Sequence, residues 1–420
     1  TVALNGPVAT GPAPVANPTP PVGPGVLPAF EPMPADTDGD DTDGDGVDDN
    51  DNVFKRVGAG DGFAKMGDGN ELYSFGFSDL TEVDPGLIMS AGMLRAEIPA
   101  PTLIVKEGQK FYLDLSNVGM LMRPDLFDPH TVHFHGFPQA ASIFDGEPFA
   151  SVAINVGATL RYFYNIVEPG TYIYHCHMEA TEHMEMGMLG TIYVTPLQNY
   201  LDIGTPLAKH PEGGAHRAGD MYAYNDGDGS TYYDVEKELQ FSAFDRNFHE
   251  QHILVQPLPF ADLDASYPMI NGRGYPDTVN PNDITNGTVG DVLGLGAEYP
   301  SQKIDSRIVA TPGQRVLLRL SNVSLSDFHT VTVLGIPMRV VAKDAKLLRG
   351  PDPDGAGPLA GKDLSYETTS FTFGGGETAD VILDTTGVTP GTYFLYDSRL
   401  NHLSNDQEDF GGIMTEIVIQ

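Results

Sequence analysis

The sequence has a single cysteine, Cys176, in 420 residues. One thiol excludes an intramolecular disulfide framework and a four-cysteine zinc site. Basic residues are also scarce: 23 Lys and Arg face 58 Asp and Glu, which gives a formal net charge of -35. This imbalance opposes binding to nucleic acid and to anionic membrane surfaces, and it favours cations. We therefore expect cationic partners and no nucleic-acid partner.

Long apolar runs are absent as well. No stretch is long enough to span a bilayer, and no basic-then-apolar signal segment is present, so we expect no membrane span. The chain begins at Thr1 rather than methionine, and we expect a leader to have been removed before this numbering begins. A folded chain is still expected, because 40% of the residues are hydrophobic and the length suffices for two or three domains.

The first 52 residues divide into two segments of unusual composition. Residues 1–35 are rich in Pro, Gly, Ala and Val, which predicts an extended arm. Residues 36–52 read DTDGDDTDGDGVDDNDN, and alternate aspartates followed by glycine supply the oxygen ligands that Ca²⁺ prefers. A solvated acidic linker is the alternative. Such a loop would fill at extracellular calcium levels, so we expect a secreted protein, extracellular or periplasmic. The predicted calcium ligands are Asp41, Asp43, Asp45, Asp49 and Asp51.

From residue 53 onward the sequence predicts β-strands. Short apolar runs rich in β-branched and aromatic residues are separated by turn residues, and helical periodicity is scarce. The pattern occurs twice, because LDLSNV, HTVHFHG and EPGTYIYHCH in the first half match LRLSNV, HTVTVLG and TPGTYFLYDSR in the second. Two copies of one β-sandwich domain explain this repeat. The predicted domains are 53–200 and 233–420, joined by a linker over 201–232.

Histidines around the lone cysteine predict a metal site. In the HCH motif of residues 175–177, strand alternation puts both histidines on one face and Cys176 on the other. In HTVHFHG, His133 and His135 share a face, and His130 lies on the opposite one. Two sites should therefore lie back to back. One collects His133, His135, His175 and His177, and the other collects His130 and Cys176.

Residues that follow Cys176 can complete the second site. The chain continues through MEATE to His183 and then reaches Met188, which gives two imidazoles, a thiolate and a thioether. This is the ligand set of a blue-copper electron-transfer centre, and the methionine is hard to explain for zinc. Copper is therefore the predicted metal, while a core role for an individual His or Met is the alternative.

With these motifs in place, residues 65–420 resemble the multicopper oxidases and, more broadly, the cupredoxin proteins that include the copper nitrite reductases. FDGEPFASV, HMEMGM with LGTIYV, FDRNFHEQH and MINGRGYPDT add to the resemblance. It implies an all-β fold of two cupredoxin-like Greek-key sandwiches in tandem. It also implies a type-1 copper at His130, Cys176, His183 and Met188. Type-2 and type-3 coppers are implied at His133, His135, His175 and His177.

The same resemblance gives Asp145 of FDGEPF a catalytic role in proton delivery, with a turn-forming Asp-Gly as the alternative. The sequence departs from the family in one spacing, because five residues instead of three separate His177 from His183. We expect His249 and His252 to be packing or surface residues, and His210 and His216 in the linker to be solvated.

A second departure concerns the second half of the chain. The trinuclear cluster of these oxidases takes eight histidines from two facing domains, and the second half lacks them. Only His329, the counterpart of His130, and an isolated His402 remain, so we expect that domain to have lost its copper sites. A homo-oligomer, a trimer or larger assembly, would then complete the cluster. The residues expected in place of the first domain's histidine motifs are Thr332, Leu334, Asp397, Ser398 and Arg399.

Three functions follow as alternatives. The first is a secreted oxidase that takes single electrons from a phenolic or metal-ion reductant and passes them to O₂. The second is a copper nitrite reductase, although His133 stands where those enzymes typically place a catalytic aspartate. The third is an extracellular structural or filament-forming protein built on the same fold. The intact type-1 ligand set favours an enzyme over a scaffold.

Overall fold

A computed structural model describes most of the protein, in the ranges 51–138, 140–211, 213–285, 299–351 and 358–420. The predicted arm over 1–35 and four of the five predicted calcium ligands, Asp41, Asp43, Asp45 and Asp49, lie outside the described residues. Asp51 is described; it is buried, and its carbonyl oxygen accepts a hydrogen bond from the backbone N–H of Lys110 at 3.0 Å.

The first half of the described chain forms two four-stranded sheets. Their elements are β1 (Asn52–Lys65), β2 (Glu71–Asp79), α1 (Ile88–Gly92), β3 (Leu103–Lys106), β4 (Lys110–Gly119), β5 (His133–His135), β6 (Thr159–Asn165), β7 (Gly170–His175), α2 (Ala180–Glu185) and β8 (Leu189–Thr195). One sheet has the strand order β2-β1-β4-β6, and the other has the order β3-β8-β7-β5. Alternating apolar residues of both sheets pack between them, as in a β-sandwich.

The second half repeats this plan after a short hairpin of β9 (Met221–Tyr222) and β10 (Tyr232–Tyr233). Its first elements are β11 (Val235–Phe244), α3 (Arg246–Ile253), β12 (Tyr267–Ile270), β13 (Ile284–Thr285), β14 (Pro300–Gln302), β15 (Ile308–Ala310), β16 (Arg315–Asn322) and β17 (His329–Val333). The remaining strands are β18 (Met338–Lys343), β19 (Lys346–Leu347), β20 (Tyr366–Thr368), β21 (Ser370–Phe373), β22 (Thr378–Asp384), β23 (Gly391–Asp397) and β24 (Met414–Ile419).

Strand pairing shows that the two halves are copies. In the first half β1 runs parallel to β4, and β4 pairs with β6; in the second, β11 runs parallel to β16, and β16 pairs with β22. The order β3-β8-β7-β5 recurs as β15-β24-β23-β17. The prediction of two tandem β-sandwich domains is therefore confirmed.

Each sandwich has its own apolar core, and a third apolar cluster joins the two. A buried arginine reinforces this junction. Arg319 is fully buried, pairs with Glu236, and lies 3.6 Å from Asp380. Thr171, at the start of β7, donates its hydroxyl to Asp380 at 2.6 Å. The strand that carries the HCH motif is thereby fixed against the second domain.

The segment 201–232 is more ordered than its composition predicts. His210 and His216 are buried, so the expectation that they are solvated is wrong. His210 Nε2 lies 3.0 Å from the Asp220 carboxylate, and His216 Nδ1 lies 3.2 Å from the Tyr222 hydroxyl. The acidic, glycine-rich composition does not predict these contacts, because each one depends on how the segment folds back on itself. No helix in the described ranges is both long and apolar enough to cross a membrane.

Candidate metal centre

Three of the predicted type-1 ligands converge inside the first sandwich. The Sγ atom of Cys176 lies 3.7 Å from His130 Nδ1 and 3.3 Å from His183 Nδ1. The loop after β7 and helix α2 carry His183 back to the cysteine, so the five-residue spacer is absorbed as one helical turn. These three side chains and Met188 are all buried, with exposures of 0%. The structure thus brings together two imidazoles and the thiol, and the backbone places Met188 beside them, because the Cys176 N–H donates to the Met188 carbonyl oxygen at 3.3 Å.

Burial sets the protonation of this pocket. It raises the pKa of the Cys176 thiol to about 12, because a thiolate there loses its hydration. Burial also lowers the pKa of His183 to about 4 and that of His130 well below its ordinary value. Both imidazoles are therefore neutral at pH 7, with Nδ1 directed at the sulfur. A bound cation would offset the cost of the thiolate, so the donor set fits a soft metal ion such as copper.

The four remaining motif histidines gather on the opposite side of the same strands. His133 pairs with His175 across β5 and β7, and their ring centroids are 5.2 Å apart. His177 lies 5.0 Å from His133, and His135 lies 5.7 Å from His175, by the same measure. Strand alternation therefore separates the two groups as predicted. We call His133, His135, His175 and His177 the histidine face.

Hydrogen bonds orient two imidazoles of the histidine face. His133 Nδ1 donates to the Asp145 carbonyl oxygen at 2.6 Å, and His175 Nδ1 donates to the Cys176 carbonyl oxygen at 2.9 Å. Each bond leaves Nε2 as the metal-binding nitrogen. Burial lowers the pKa of His175 to about 3, and burial together with His133 lowers the pKa of His135. His135 and His175 consequently present neutral donors, as Cu²⁺ requires.

Asp145 lies beside the histidine face. Its carboxylate Oδ1 is 3.7 Å from His133 Nδ1, in addition to the backbone contact. The turn that holds it depends on Gly146, which has φ +78° and whose added Cβ would lie 2.2 Å from the Val132 carbonyl oxygen. The catalytic role of Asp145 stays a prediction, and its carboxylate lies beside His133, where that role requires it.

The histidine face is open to solvent on one side. His135 is exposed and His133 and His177 are half-buried, whereas the cysteine site is closed. A cavity of about 310 Å³ adjoins it, lined by His135, Thr171, Asp344 and Glu377 among others. The nearby segment 142–152 exposes three apolar side chains, with Phe149 exposed at 99%. An open face rimmed by apolar residues is typical of a protein interface.

The second domain corrects one prediction. Thr332 pairs with Tyr396 as His133 pairs with His175, so Tyr396, Asp397 and Ser398 take the places of the HCH motif. The prediction that placed Asp397, Ser398 and Arg399 there is wrong by one residue. Such a shift moves every side chain to the other face of the strand. Asp397 is therefore the counterpart of Cys176.

His402 is also not isolated, contrary to the prediction. Its Nδ1 lies 2.7 Å from the Asp397 carboxylate, which in turn lies 2.8 Å from His329 Nδ1. The second domain thus lacks the histidine face, as predicted, but keeps a buried His-Asp-His cluster where the first domain has His-Cys-His.

Two carboxylates near His183 escaped the sequence analysis. Asp128 Oδ2 lies 3.9 Å from His183 Nε2, and Glu182 belongs to the same group of potential ligands. Burial and the charge of Glu182 raise the pKa of Asp128. Burial opposes ionisation of Glu182, but its hydrogen bond with His252 Nε2 at 2.8 Å outweighs this and lowers the pKa. Neither residue lies in a recognisable motif, and only the fold, which brings the loop that carries Asp128 beside helix α2, reveals them.

The remaining histidines of helix α3 have structural contacts. His249 is fully buried; its Nδ1 donates to the Tyr73 carbonyl oxygen at 2.6 Å, and its Nε2 lies 3.0 Å from the Glu185 carbonyl oxygen. His252 is buried as well and contacts Glu182 and Arg123. Both histidines are therefore packing residues, which is the first of the two predicted alternatives.

Fold and site together define a copper-binding protein of two cupredoxin-like domains. Residues 88–199 and 265–419 match two family profiles described as multicopper oxidase, which together cover more than half of the chain. The chain belongs to the multicopper oxidase family.

Similarity to individual proteins is more distant. A blue copper oxidase from Nitrosomonas europaea superposes with a TM-score of 0.59 at 21% identity, over 88% of this chain and 86% of that one. Copper resistance protein A of Escherichia coli is 23% identical over 61% of this chain and 39% of its own length. A copper-containing nitrite reductase of Neisseria meningitidis is 24% identical over 56% of this chain and 58% of its own. The chain thus spans about two fifths to three fifths of the curated relatives that it matches.

Proposed function

We propose that the protein is a secreted oxidase that withdraws single electrons from a reductant at a type-1 copper and delivers them to O₂ at a copper cluster. One observation carries the proposal: Cys176 reaches one buried site, while its covalent neighbours His175 and His177 reach the other. The two sites are therefore joined by a few covalent bonds. A scaffold has no use for such a connection.

The residues fit copper at both places. The first site offers His130, Cys176, His183 and Met188, and the second offers the imidazole Nε2 atoms of the histidine face. Bound copper would supply the one-electron chemistry that no side chain here can perform. The chain itself contributes a dry pocket around the sulfur, fixed imidazole orientations, and a carboxylate at Asp145 for holding a proton beside His133.

The histidine count supports completion of the cluster by a second chain. All twelve histidines of the sequence are accounted for, and only four belong to the histidine face. Two belong to the cysteine site, two to the second domain's cluster, and four are buried among other partners. A cluster of eight imidazoles then needs the histidine faces of two chains. The imidazoles that each chain offers to the cluster are His133, His135, His175 and His177.

Two identical faces imply an isologous contact with a two-fold axis through the cluster. The exposed Phe149, Val152 and Ile143 beside the face supply apolar area for such a contact. The pair can stand alone as a dimer or recur within a larger assembly. Two type-1 ions and three cluster ions would then give five coppers per pair of chains.

The reductant is proposed to be a metal ion. Asp128 Oδ2 lies 3.9 Å from the outer nitrogen of His183, and Glu182 belongs to the same group of potential ligands beside the cysteine site. Two carboxylates attract a cation and repel an anion. The net charge of -35 also attracts cations, over a longer range. Cu(I), Fe(II) and Mn(II) are the candidates, and a phenol is the alternative.

Oxygen uptake by copper-loaded full-length protein tests the function. We expect turnover with a metal-ion donor, and loss of turnover in Cys176→Ser without loss of copper from the histidine face. Asp128→Asn should raise KM for the cationic donor several-fold and leave KM for a neutral phenol unchanged. Asp125→Asn is the matched control, since this exposed carboxylate pairs with Arg123 instead. Copper-loaded protein without any oxygen uptake would refute the proposal.

A copper nitrite reductase is the second candidate, because several relatives carry that description. It would bind one further copper for each type-1 copper and convert nitrite to NO. Copper stoichiometry and an NO electrode therefore separate the two functions.

Calcium binding by the acidic segment and an extracellular or periplasmic location also remain proposals.

A further inference from the structure

The cluster of His329, Asp397 and His402 in the second domain occupies the place of the type-1 site. Two backbone bonds establish the equivalence. Met188 N–H donates to the His183 carbonyl oxygen at 2.9 Å, and Ile413 N–H donates to the His402 carbonyl oxygen at 2.8 Å.

The second backbone bond agrees with the first. Cys176 N–H donates to the Met188 carbonyl oxygen at 3.3 Å, and Asp397 N–H donates to that of Ile413 at 3.2 Å. The imidazole pairs also match. His130 and His183 have ring centroids 4.9 Å apart, and His329 and His402 have theirs 5.0 Å apart. The scaffold of the metal pocket is thus retained in both domains.

The donor atoms of the second pocket converge on one point. One carboxylate oxygen of Asp397, Oδ2, lies 2.8 Å from His329 Nδ1 and 2.7 Å from His402 Nδ1. Its other oxygen, Oδ1, accepts backbone N–H groups of Arg399 at 2.9 Å and Thr330 at 3.3 Å. The backbone therefore fixes the carboxylate with Oδ2 aimed at both imidazoles.

The outer nitrogens of both imidazoles have partners of their own. His329 Nε2 lies 2.8 Å from the Ser324 hydroxyl, and His402 Nε2 lies 3.5 Å from the Asp327 carboxylate. When Nε2–H donates outward, the Nδ1 lone pairs face the Asp397 oxygen. Three acceptors then share a space in which the side chains are 0% to 3% exposed. In that tautomer a metal ion can take the central position that an Nδ1 proton would otherwise occupy, and histidines that ligate metals are held by outer partners of this kind.

We propose that His329 Nδ1, His402 Nδ1 and the Asp397 carboxylate bind a divalent zinc ion. Two imidazoles and one carboxylate form a ligand set that suits Zn²⁺, and three protein ligands leave its fourth position for water. The site contains neither of the sulfur donors that favour Cu(I), because Asp397 replaces Cys176 and the buried Ile413 replaces Met188. The second domain therefore carries a redox-inert metal centre, distinct from the copper sites and independent of the proposed oxidase activity.

Zinc content tests the proposal. Metal-free full-length protein is dialysed to equilibrium against Zn²⁺, and bound zinc is measured by mass spectrometry. We expect His402→Gln and Asp397→Asn to bind one zinc fewer per chain than the unmodified protein. His216→Gln, which changes a buried histidine near Asp220 outside the cluster, should bind the same amount as the unmodified protein. Equal zinc content in all four proteins would overturn the site and leave a cluster held by protons alone.

A direct measurement on the unmodified chain covers the case in which a variant fails to fold. Crystals of the zinc-loaded protein should give an anomalous peak at the zinc absorption edge, about 2.0–2.2 Å from both Nδ1 atoms and from Asp397. The absence of a peak between His329 and His402, with zinc present elsewhere in the same crystal, would overturn the proposal. Neither readout depends on turnover, so a failure of the oxidase function leaves this test intact.

Discussion

Metal binding at Cys176 should release one proton, and its pH dependence can be worked from the pocket. Burial raises the pKa of the thiol to about 12, so at pH 7 removal of its proton costs about 7 kcal/mol. His183, with a pKa lowered to about 4 by burial, and His130, with a pKa lowered further, have no proton to lose at neutral pH. Only the thiol then competes with the metal. Affinity should rise about tenfold per pH unit, or roughly 1000-fold between pH 6 and pH 9.

Cobalt(II) is a suitable probe because it does not oxidise the thiol. Its thiolate charge-transfer band reports on this site alone, since Cys176 is the only cysteine. Titrations against a competing chelator at several pH values give the slope, and Cys176→Ser, which should lack the band, is the control. The sign follows from linkage: the competing proton is bound below the thiol pKa, so affinity increases with pH up to about 12. A slope of two or three would mean that the imidazoles are protonated in the metal-free protein, and a flat response would mean a preformed thiolate; either result refutes the reasoning.

Three further predictions concern positions around the sites. Gly146→Ala should reduce copper on the histidine face while the thiolate band persists, because the added Cβ displaces the turn that orients His133; metal analysis checks this. Glu185, with a pKa raised to about 8 chiefly by burial, favours its neutral form in the fold, so its contribution to stability is lost as pH rises from about 4.5 to 8. In urea unfolding, the free energy of unfolding of Glu185→Gln should rise relative to that of the unmodified protein by up to ~1.4 kcal/mol per pH unit in that window. A difference that does not change with pH would contradict this. Arg319→Ala should cost about 3–5 kcal/mol in the free energy of unfolding by leaving the buried Asp380 carboxylate without its cation, and a loss below about 1 kcal/mol would show that the Arg319–Asp380 pair is not desolvated.

The sequence predicted which side chains converge in the first domain, because their grouping depends on local rules. Strand alternation alone separates Cys176 from His175 and His177, and the structure has the same separation. The repeat of HTVHFHG and HTVTVLG likewise identifies His329 as the counterpart of His130. Short-range parity survives folding because a strand offers only two faces.

Predictions failed where they needed the register or long-range contacts. The match of EPGTYIYHCH to TPGTYFLYDSR left the position of Asp397 wrong by one residue, because pairing between β17 and β23 decides the register. His210 and His216 are buried by contacts with Asp220 and Tyr222, within a segment whose composition is typical of a loop. Asp128 approaches His183 only through the fold, because 55 residues of chain separate them. No periodicity encodes such approaches.

The number of coppers in each assembled particle tests the central claim most directly. Native mass spectrometry of the copper-loaded protein gives the number of chains and of copper ions together. The proposed completion of the cluster by two histidine faces predicts five coppers per pair of chains, with the three cluster ions lost when the pair dissociates. Single chains that retain a full cluster and reduce O₂, or an assembly with two coppers per chain, would contradict it.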